Sequence, residues 1–439
     1  MFSRRFMIIS SGVAAMALPA ARLAAQVGAA RTFPTGFLWG ASTAGHQVEG
    51  NDTASDTWFL ENISPTVFME PAGDAANSFE LWERDLDLAA GMGLNAYRFS
   101  VEWSRVEPAR GLVSQAMLDH YARIVDGCQA RGLAPIVTFN HFTNPRWFAA
   151  MGGWHDADAP QLFADQCTRV ARAMGDRISH AITFNEPQLP KILQTIGLPA
   201  EIHDLERAML ARAAELSGGG KFVATNVVPT EDIPALEAGL LRGHAAAKAA
   251  IKAERPELPV GVSLAMLDDQ AGTGGEGMRD RMRETLYGAW LRVARDDDFL
   301  GVQNYERAVW GPQGKLPPPA DVNRGHLGAE VYPASLAGAV RYAHEASGLP
   351  ILVTEHGVGS EDDSVRAGLI PAALGHLHGV IADGVPVVGY CHWSLLDNFE
   401  WIFGYGPKFG LASVERDTFV RTPKPSSVVY EAIARRNAL

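Results

Sequence analysis

The chain has 439 residues, 47% of them hydrophobic and 20% charged, and a formal net charge of −12. That balance argues against nucleic acid or an anionic membrane surface as the main partner, since both demand clustered lysine and arginine, and it suits an uncharged substrate. Three cysteines, Cys128, Cys167 and Cys391, cannot all pair and lie too far apart for a disulfide framework or a zinc site.

At the N-terminus, Ser3-Arg4-Arg5-Phe6, an apolar run from Met7 and the small residues Ala24-Ala25 read as a twin-arginine export signal over residues 1–30, cleaved between Ala24 and Arg31. The apolar run is too short and too rich in alanine and glycine to span a bilayer. No later stretch is expected to anchor the mature chain, so the expectation is a periplasmic or secreted protein whose residues 31–439 form one domain.

Eight short apolar runs follow as strand candidates: Phe37–Ala41, Asn95–Phe99, Pro135–Phe139, Ala181–Phe184, Val260–Leu264, Phe299–Gln303, Ile351–Thr354 and Val387–His392. Near-continuous apolar strands of this length suit a parallel sheet covered on both faces. Helical patterns lie between them at Ala75–Gly91, Gln115–Gly132, Asp158–Met174, Leu236–Glu254, Met278–Ala294, Pro333–Ala346 and Val365–Ala382, and a last one follows Pro425. Eight strand-helix units predict a (β/α)8 TIM barrel of the α/β class. Pro187–Pro234 and Gly311–Val331, rich in glycine and proline, read as long loops after strands 4 and 6 that shape a substrate mouth.

Polar side chains gather at the C-terminal ends of these strands, where barrel enzymes place their chemistry. In chain order they are Gln47, Arg98, His141, Asn185 with Glu186, Gln303 with Tyr305, Glu355, and Trp393 followed by Glu400 and Trp401. Two of them are glutamates just past apolar runs, in Thr183-Phe184-Asn185-Glu186-Pro187 and Thr354-Glu355-His356-Gly357. Cleaving a glycosidic bond needs one carboxyl group to protonate the leaving oxygen and a second to attack or stabilise the sugar carbon, and two glutamates on different strand ends are the form that pair would take here.

Three longer strings carry a resemblance. Tyr97-Arg98-Phe99-Ser100-Val101-Glu102-Trp103-Ser104-Arg105, Thr183-Phe184-Asn185-Glu186-Pro187 and His392-Trp393-Ser394-Leu395-Leu396-Asp397-Asn398-Phe399-Glu400-Trp401 resemble glycoside hydrolase family 1, the β-glucosidase family of retaining β-glycosidases. The likeness begins at Phe33-Pro34-Thr35-Gly36-Phe37-Leu38-Trp39-Gly40 and runs to the terminal helix. It implies a retaining exo-β-glycosidase, a β-glucosidase first of all, working by double displacement. Glu186 would be the acid/base and Glu355 the nucleophile, with Arg98 and Tyr305 holding Glu355 ionised. Gln47, His141, Asn185, Gln303, Trp393, Glu400 and Trp401 would cradle the non-reducing sugar. In such a mechanism the two carboxyl groups lie roughly 5 Å apart.

The resemblance leaves three alternatives open: a transglycosylase using the same residues, a 6-phospho-β-glycosidase, and a silent carbohydrate-binding relative. Glu400 would repel a phosphate on the sugar, and both glutamates are present, so the last two are the weaker readings. The chain departs from the family pattern at His356, where asparagine is usual, and at Gln303-Asn304-Tyr305. It also lacks the usual glycine-tyrosine and proline-glycine stretch between Pro187 and His244. The aglycone, the gluco or galacto preference and the oligomeric state are not written in the sequence.

No metal or organic cofactor is expected. His376-Leu377-His378 sits on a predicted helix, where residues two apart face different ways. Gly218-Gly219-Gly220-Lys221 lacks the spacing of a phosphate loop. Glu80, Glu83, Arg84 and Asp85 read as a solvated helix face.

Overall fold

The computed structural model describes residues 31–195, 197, 200–326 and 328–439, so the export signal expected over residues 1–30 lies outside the described residues. Eight parallel strands close into a barrel: β1 Leu38–Ser42, β2 Ala96–Ser100, β3 Ala134–Thr138, β4 His180–Asn185, β5 Val260–Ala265, β6 Phe299–Asn304, β7 Ile351–His356 and β8 Val387–Trp393. Each strand matches its sequence-predicted counterpart to within two residues at either end. The principal outer helices are Ser78–Gly91, Gln115–Ala130, Ala159–Met174, Ile233–Glu254, a run from Glu276 to Ala294, Ser335–Ser347, Asp363–Ala382 and Pro425–Arg436. The fold is the (β/α)8 TIM barrel that the alternation of the sequence predicts.

Two hydrophobic layers follow from strand geometry, because successive side chains point to opposite faces. Ala96, Ile136, Ile182, Phe299, Leu352 and Cys391 point inward and plug the barrel. Their outward neighbours, among them Tyr97, Val137, Val302 and Val353, pack beneath the helices. Close approach is enforced at Gly239 on the helix Ile233–Glu254, where an added Cβ would stand 1.8 Å from the Trp154 carbonyl oxygen. Any larger residue there would push this helix away from the segment it covers.

The plug also supports the site. Two residues further along the same strands, Arg98 stands above Ala96, Thr138 above Ile136 and Trp393 above Cys391. Strict alternation fails beside the site. In β7 the register shifts between Val353 and Glu355, and between β4 and β5 it shifts between Ile182 and Asn185. Leu352 faces in and Val353 out, so an unbroken pleat would turn Glu355 outward; the irregularity aims it into the barrel. In β4, Thr183 bonds His244 outside the barrel and Phe184 packs on Trp154 and Phe163, after which Asn185 turns inward. Such irregularities beside active sites re-aim side chains.

Three expectations need correction. Pro187–Pro234 is not structureless. It holds helices Leu189–Gln194 and Ala200–Leu216 and a short 3-10 turn at Thr230–Asp232. Met209, Leu210 and Ala213 of the second helix bury against Phe59, Leu60, Phe222 and Phe399, a side core that rewards folding the segment. Gly311–Val331 begins inside a small sheet, in which Arg307–Gly311 pairs parallel with Asp268–Ala271 and antiparallel with Gly314–Lys315. Asp85 is not solvated: it is buried and paired to Arg421 at 2.8 Å. The helix Asp363–Ala382 is, by length and composition alone, apolar enough to cross a membrane. In the fold its Leu369, Ile370, Ala373, Leu374 and Leu377 are buried in the outer core, and Arg366 is buried beside Asp363.

Candidate active site

At the C-terminal mouth of the barrel, side chains from β2 and from the end of β6 meet on Glu355 of β7. Arg98 reaches it from β2 and donates to Glu355 Oε1 through Nη1, while Nη2 donates to Asn185 Oδ1 at 2.5 Å and Nε to Thr138 Oγ1 at 3.1 Å. Gln303 Nε2, at the end of β6, donates to Glu355 Oε1 at 2.9 Å and to Asn185 Oδ1 at 2.7 Å. The Tyr305 hydroxyl donates to Glu355 Oε2 at 2.5 Å. With Arg98 and Gln303 both aimed at its oxygen, the Asn185 amide has one orientation, which leaves its N–H groups for a substrate.

Glu186 faces the same cavity. Its backbone N–H donates to the Ser263 carbonyl at 2.8 Å, so β5, for which the sequence showed no functional side chain, serves the site through its main chain. Glu186 has φ +41°, and Phe142 and Trp401 on other walls of the cavity have φ +65° and +53°. Non-glycine residues in this region cost backbone energy and cluster at functional sites.

The two carboxyl groups feel different surroundings. Burial, and then the charge of Glu355, push Glu186 well above the ordinary carboxyl range, with Arg98 opposing. Burial also raises Glu355, but Arg98 and the Tyr305 hydroxyl pull against it. The carboxyl group with the cation and three donors ionises first, and its charge holds the proton on the other.

A second cluster lies across the cavity. Gln47 Nε2 donates to the Phe399 carbonyl at 2.8 Å, to Asn398 Oδ1 at 3.1 Å and to Glu400 Oε2 at 3.3 Å. Those contacts leave Gln47 Oε1 buried without a protein partner, as are His141 Nδ1 and Gln303 Oε1. Burial, and then the Glu355 charge, raise Glu400 to about 8, with Gln47 opposing. Burial, then Arg98, lower His141 well below its usual value and keep it neutral. Four rings stack in a column: His46 on Trp401 at 5.8 Å and 7°, Trp401 on His141 at 6.1 Å and 14°, and His141 on Trp393 at 5.8 Å and 18°.

All eleven sequence-predicted site residues thus enter one constellation, directly or through a shared partner. Sequence reasoning missed Asn398, which fixes Gln47, and Thr138, which fixes Arg98. Asn398 lay inside a quoted string and could have been found there; Thr138 carried no signal beyond its position near a strand end. His356 takes no place in the constellation. It is buried, accepts or donates at 2.9 Å with the Tyr390 hydroxyl, and burial holds it down to about 3. Among the described residues no group of three His, Cys, Asp or Glu could hold a metal ion.

A cavity of about 910 Å³ joins both clusters and opens toward the loops after β4 and β6. An ionised carboxylate beside a protonated one, facing a wall of stacked rings and open hydrogen-bonding groups, in the mouth of a (β/α)8 barrel, defines a glycoside hydrolase.

The comparisons with known proteins narrow this further. The family described as glycosyl hydrolase family 1 matches residues 29–206 and 314–439. The β-glucosidase of Agrobacterium sp. is 32% identical over 445 residues, covering 92% of this chain and 96% of its own. Among solved structures, the β-glycosidase BGL167 superposes with a TM-score of 0.87 at 44% identity over 93% of this chain and 98% of its own. The β-glucosidase 1317 does so with a TM-score of 0.88 at 39% identity, over 92% and 99%. The chain belongs to glycosyl hydrolase family 1 and is a retaining β-glycosidase.

Proposed function

We propose that this protein is an exo-acting β-glucosidase in which Glu355 is the nucleophile and Glu186 the acid/base. The observation that carries the reading is the asymmetry of the pair: Arg98, Gln303 and Tyr305 all serve Glu355, whereas Glu186 has its negative charge suppressed by burial and by Glu355 itself.

In the first step Glu355 attacks the anomeric carbon as Glu186 gives its proton to the departing oxygen. The new ester bond consumes the charge on Glu355, so the proton affinity of Glu186 falls and it becomes a base. Glu186 then takes a proton from water, which attacks the same carbon and releases Glu355. An Asn185 N–H is free to bond the 2-hydroxyl, a contact that strengthens as positive charge grows on the ring. Gln47 Oε1 and His141 Nδ1 are the open partners for outer hydroxyls, Glu400 accepts from a hydroxyl pair, and the Trp393 and Trp401 faces suit the apolar face of a sugar. A glucoside is the reading that the named relatives support.

We also propose that residues 1–30 direct twin-arginine export and that the mature enzyme acts outside the cytoplasm without a membrane anchor. The support is the ordered arginine pair, apolar run and small-residue end.

The test is turnover of nitrophenyl β-glucoside, galactoside, fucoside and 6-phosphoglucoside, with azide added to two variants. Azide should restore Glu355→Ala and yield the α-glycosyl azide, and restore Glu186→Ala and yield the β-azide. Exchange of those two products would reverse the assignments.

A further inference from the structure

We propose that the leaving-group half of this cavity is built for an apolar aglycone, an alkyl or terpenoid-like group, rather than for a second sugar; the proposal rests on the catalytic reading above. The leaving oxygen must depart on the Glu186 side. The helix Leu189–Gln194 starts three residues after Glu186, tied to it by the Leu189 N–H to the Glu186 carbonyl at 2.9 Å, and it brings Ile192 and Leu193 to the cavity wall. Leu316, Pro318, Val331 and Ile402 line the same cavity. Leu316 is 44% exposed at the mouth.

Several of the polar side chains on this half are already engaged. Arg307 pairs with Glu330 at 2.8 Å and donates to Gln270 Oε1 at 3.1 Å, with its guanidinium 3.8 Å from the centre of the Tyr332 ring. Gln270 Nε2 donates to Asp268 at 2.6 Å, and Lys315 pairs with Glu306 at 3.4 Å. Thr225 accepts from Asn144 at 2.9 Å, and Asn226 donates to Thr57 at 3.1 Å. One open buried acceptor, Asn226 Oδ1, stands out among them. A second pyranose needs several hydroxyl partners and would leave its hydroxyls unpaired against leucine, valine and proline, whereas a hydrocarbon loses nothing there. A volume of about 910 Å³ is at the large end for a small-molecule site and exceeds what one sugar ring fills.

The experiment compares kcat/KM of the mature enzyme for methyl, butyl and octyl β-glucosides, below the micelle concentration of the last, and for cellobiose. A fully buried methylene is worth up to about fourfold, so partial burial of an octyl chain is expected to give at least a tenfold rise from methyl to octyl, with octyl above cellobiose. Leu193→Asn and Leu316→Asp are each expected to lower the octyl-to-methyl ratio at least threefold. A flat alkyl series, or cellobiose above octyl glucoside, overturns the proposal. Calorimetry on Glu186→Gln separates the two readings: tighter binding of octyl than methyl glucoside supports the apolar site whether or not the glycone assignment stands, and equal affinities overturn it.

Discussion

The Tyr305 hydroxyl meets Glu355 Oε2 at 2.5 Å, while Arg98 and Gln303 meet Oε1, so β2 and the end of β6 between them hold both oxygens of the proposed nucleophile. The carboxylate plane is thereby fixed by three donors before a substrate arrives, and attack costs little reorganisation.

Removing one donor should show in rate and in pH dependence. Tyr305→Phe is expected to lower kcat about 100- to 1,000-fold, the range seen for loss of a preorganised active-site donor. The hydroxyl pulls the Glu355 pKa down. Its loss therefore moves the acid limb of kcat/KM to higher pH, because Glu355 must be ionised to attack. An acid limb that stays in place would mean that Tyr305 does not act on the nucleophile.

The proton on Glu186 is held first by burial and second by the Glu355 charge. In Glu355→Gln the second cause disappears and the first remains. Carbon-13 NMR titration of Glu186 should then give a pKa lower than in the parent yet still above the ordinary carboxyl value. An unchanged value would show that the two carboxyl groups are not coupled.

Glu400 is raised from 4.5 to about 8 by burial and then by Glu355. For a carboxyl group raised on folding, the unfolded chain ionises first, so stability present below pH 4.5 is lost as pH rises toward 8. Glu400→Gln removes that loss. Its melting temperature is expected to gain on the parent more at pH 8.5 than at pH 5, while glucoside kcat/KM falls. Equal gains at both pH values would contradict the linkage.

His356 offers the converse case. Burial lowers it to about 3. Between pH 6.5 and that value the unfolded chain gains a proton that the folded chain refuses, so stability is lost as pH falls. His356→Asn should flatten that loss, cost about 1–3 kcal/mol at pH 7 through the broken Tyr390 contact, and leave kcat within a few-fold. Denaturant titrations at pH 5 and 7 and one kinetic assay check all three.

The barrel was legible because each of its strands is a near-continuous apolar run, and parallel strands buried on both faces leave that trace. Glu186 and Glu355 were legible from their neighbours, not from alternation: a strict period of two sends Glu355 outward, and the shift between Val353 and Glu355 that turns it in has no mark in the sequence. Asp85 was misread because its partner, Arg421, lies more than three hundred residues away. The helix Ala200–Leu216 was passed over for its glycine- and proline-rich flanks, although alanine, leucine, glutamate and arginine fill it and favour helix. The helix Val365–Ala382 was legible as a helix, and its packing in the outer core shows where its hydrophobic side goes.

The column of His46, Trp401, His141 and Trp393 joins the ends of three barrel strands and one loop into a rigid wall. The opposite wall comes from the helix after β4 and the strap after the small sheet, segments hung on the barrel rather than woven into it. The half proposed to hold the glycone is therefore hard to change without disturbing the barrel, while the other can be exchanged piece by piece. An engineer seeking new leaving groups would graft those two segments and leave the rings alone.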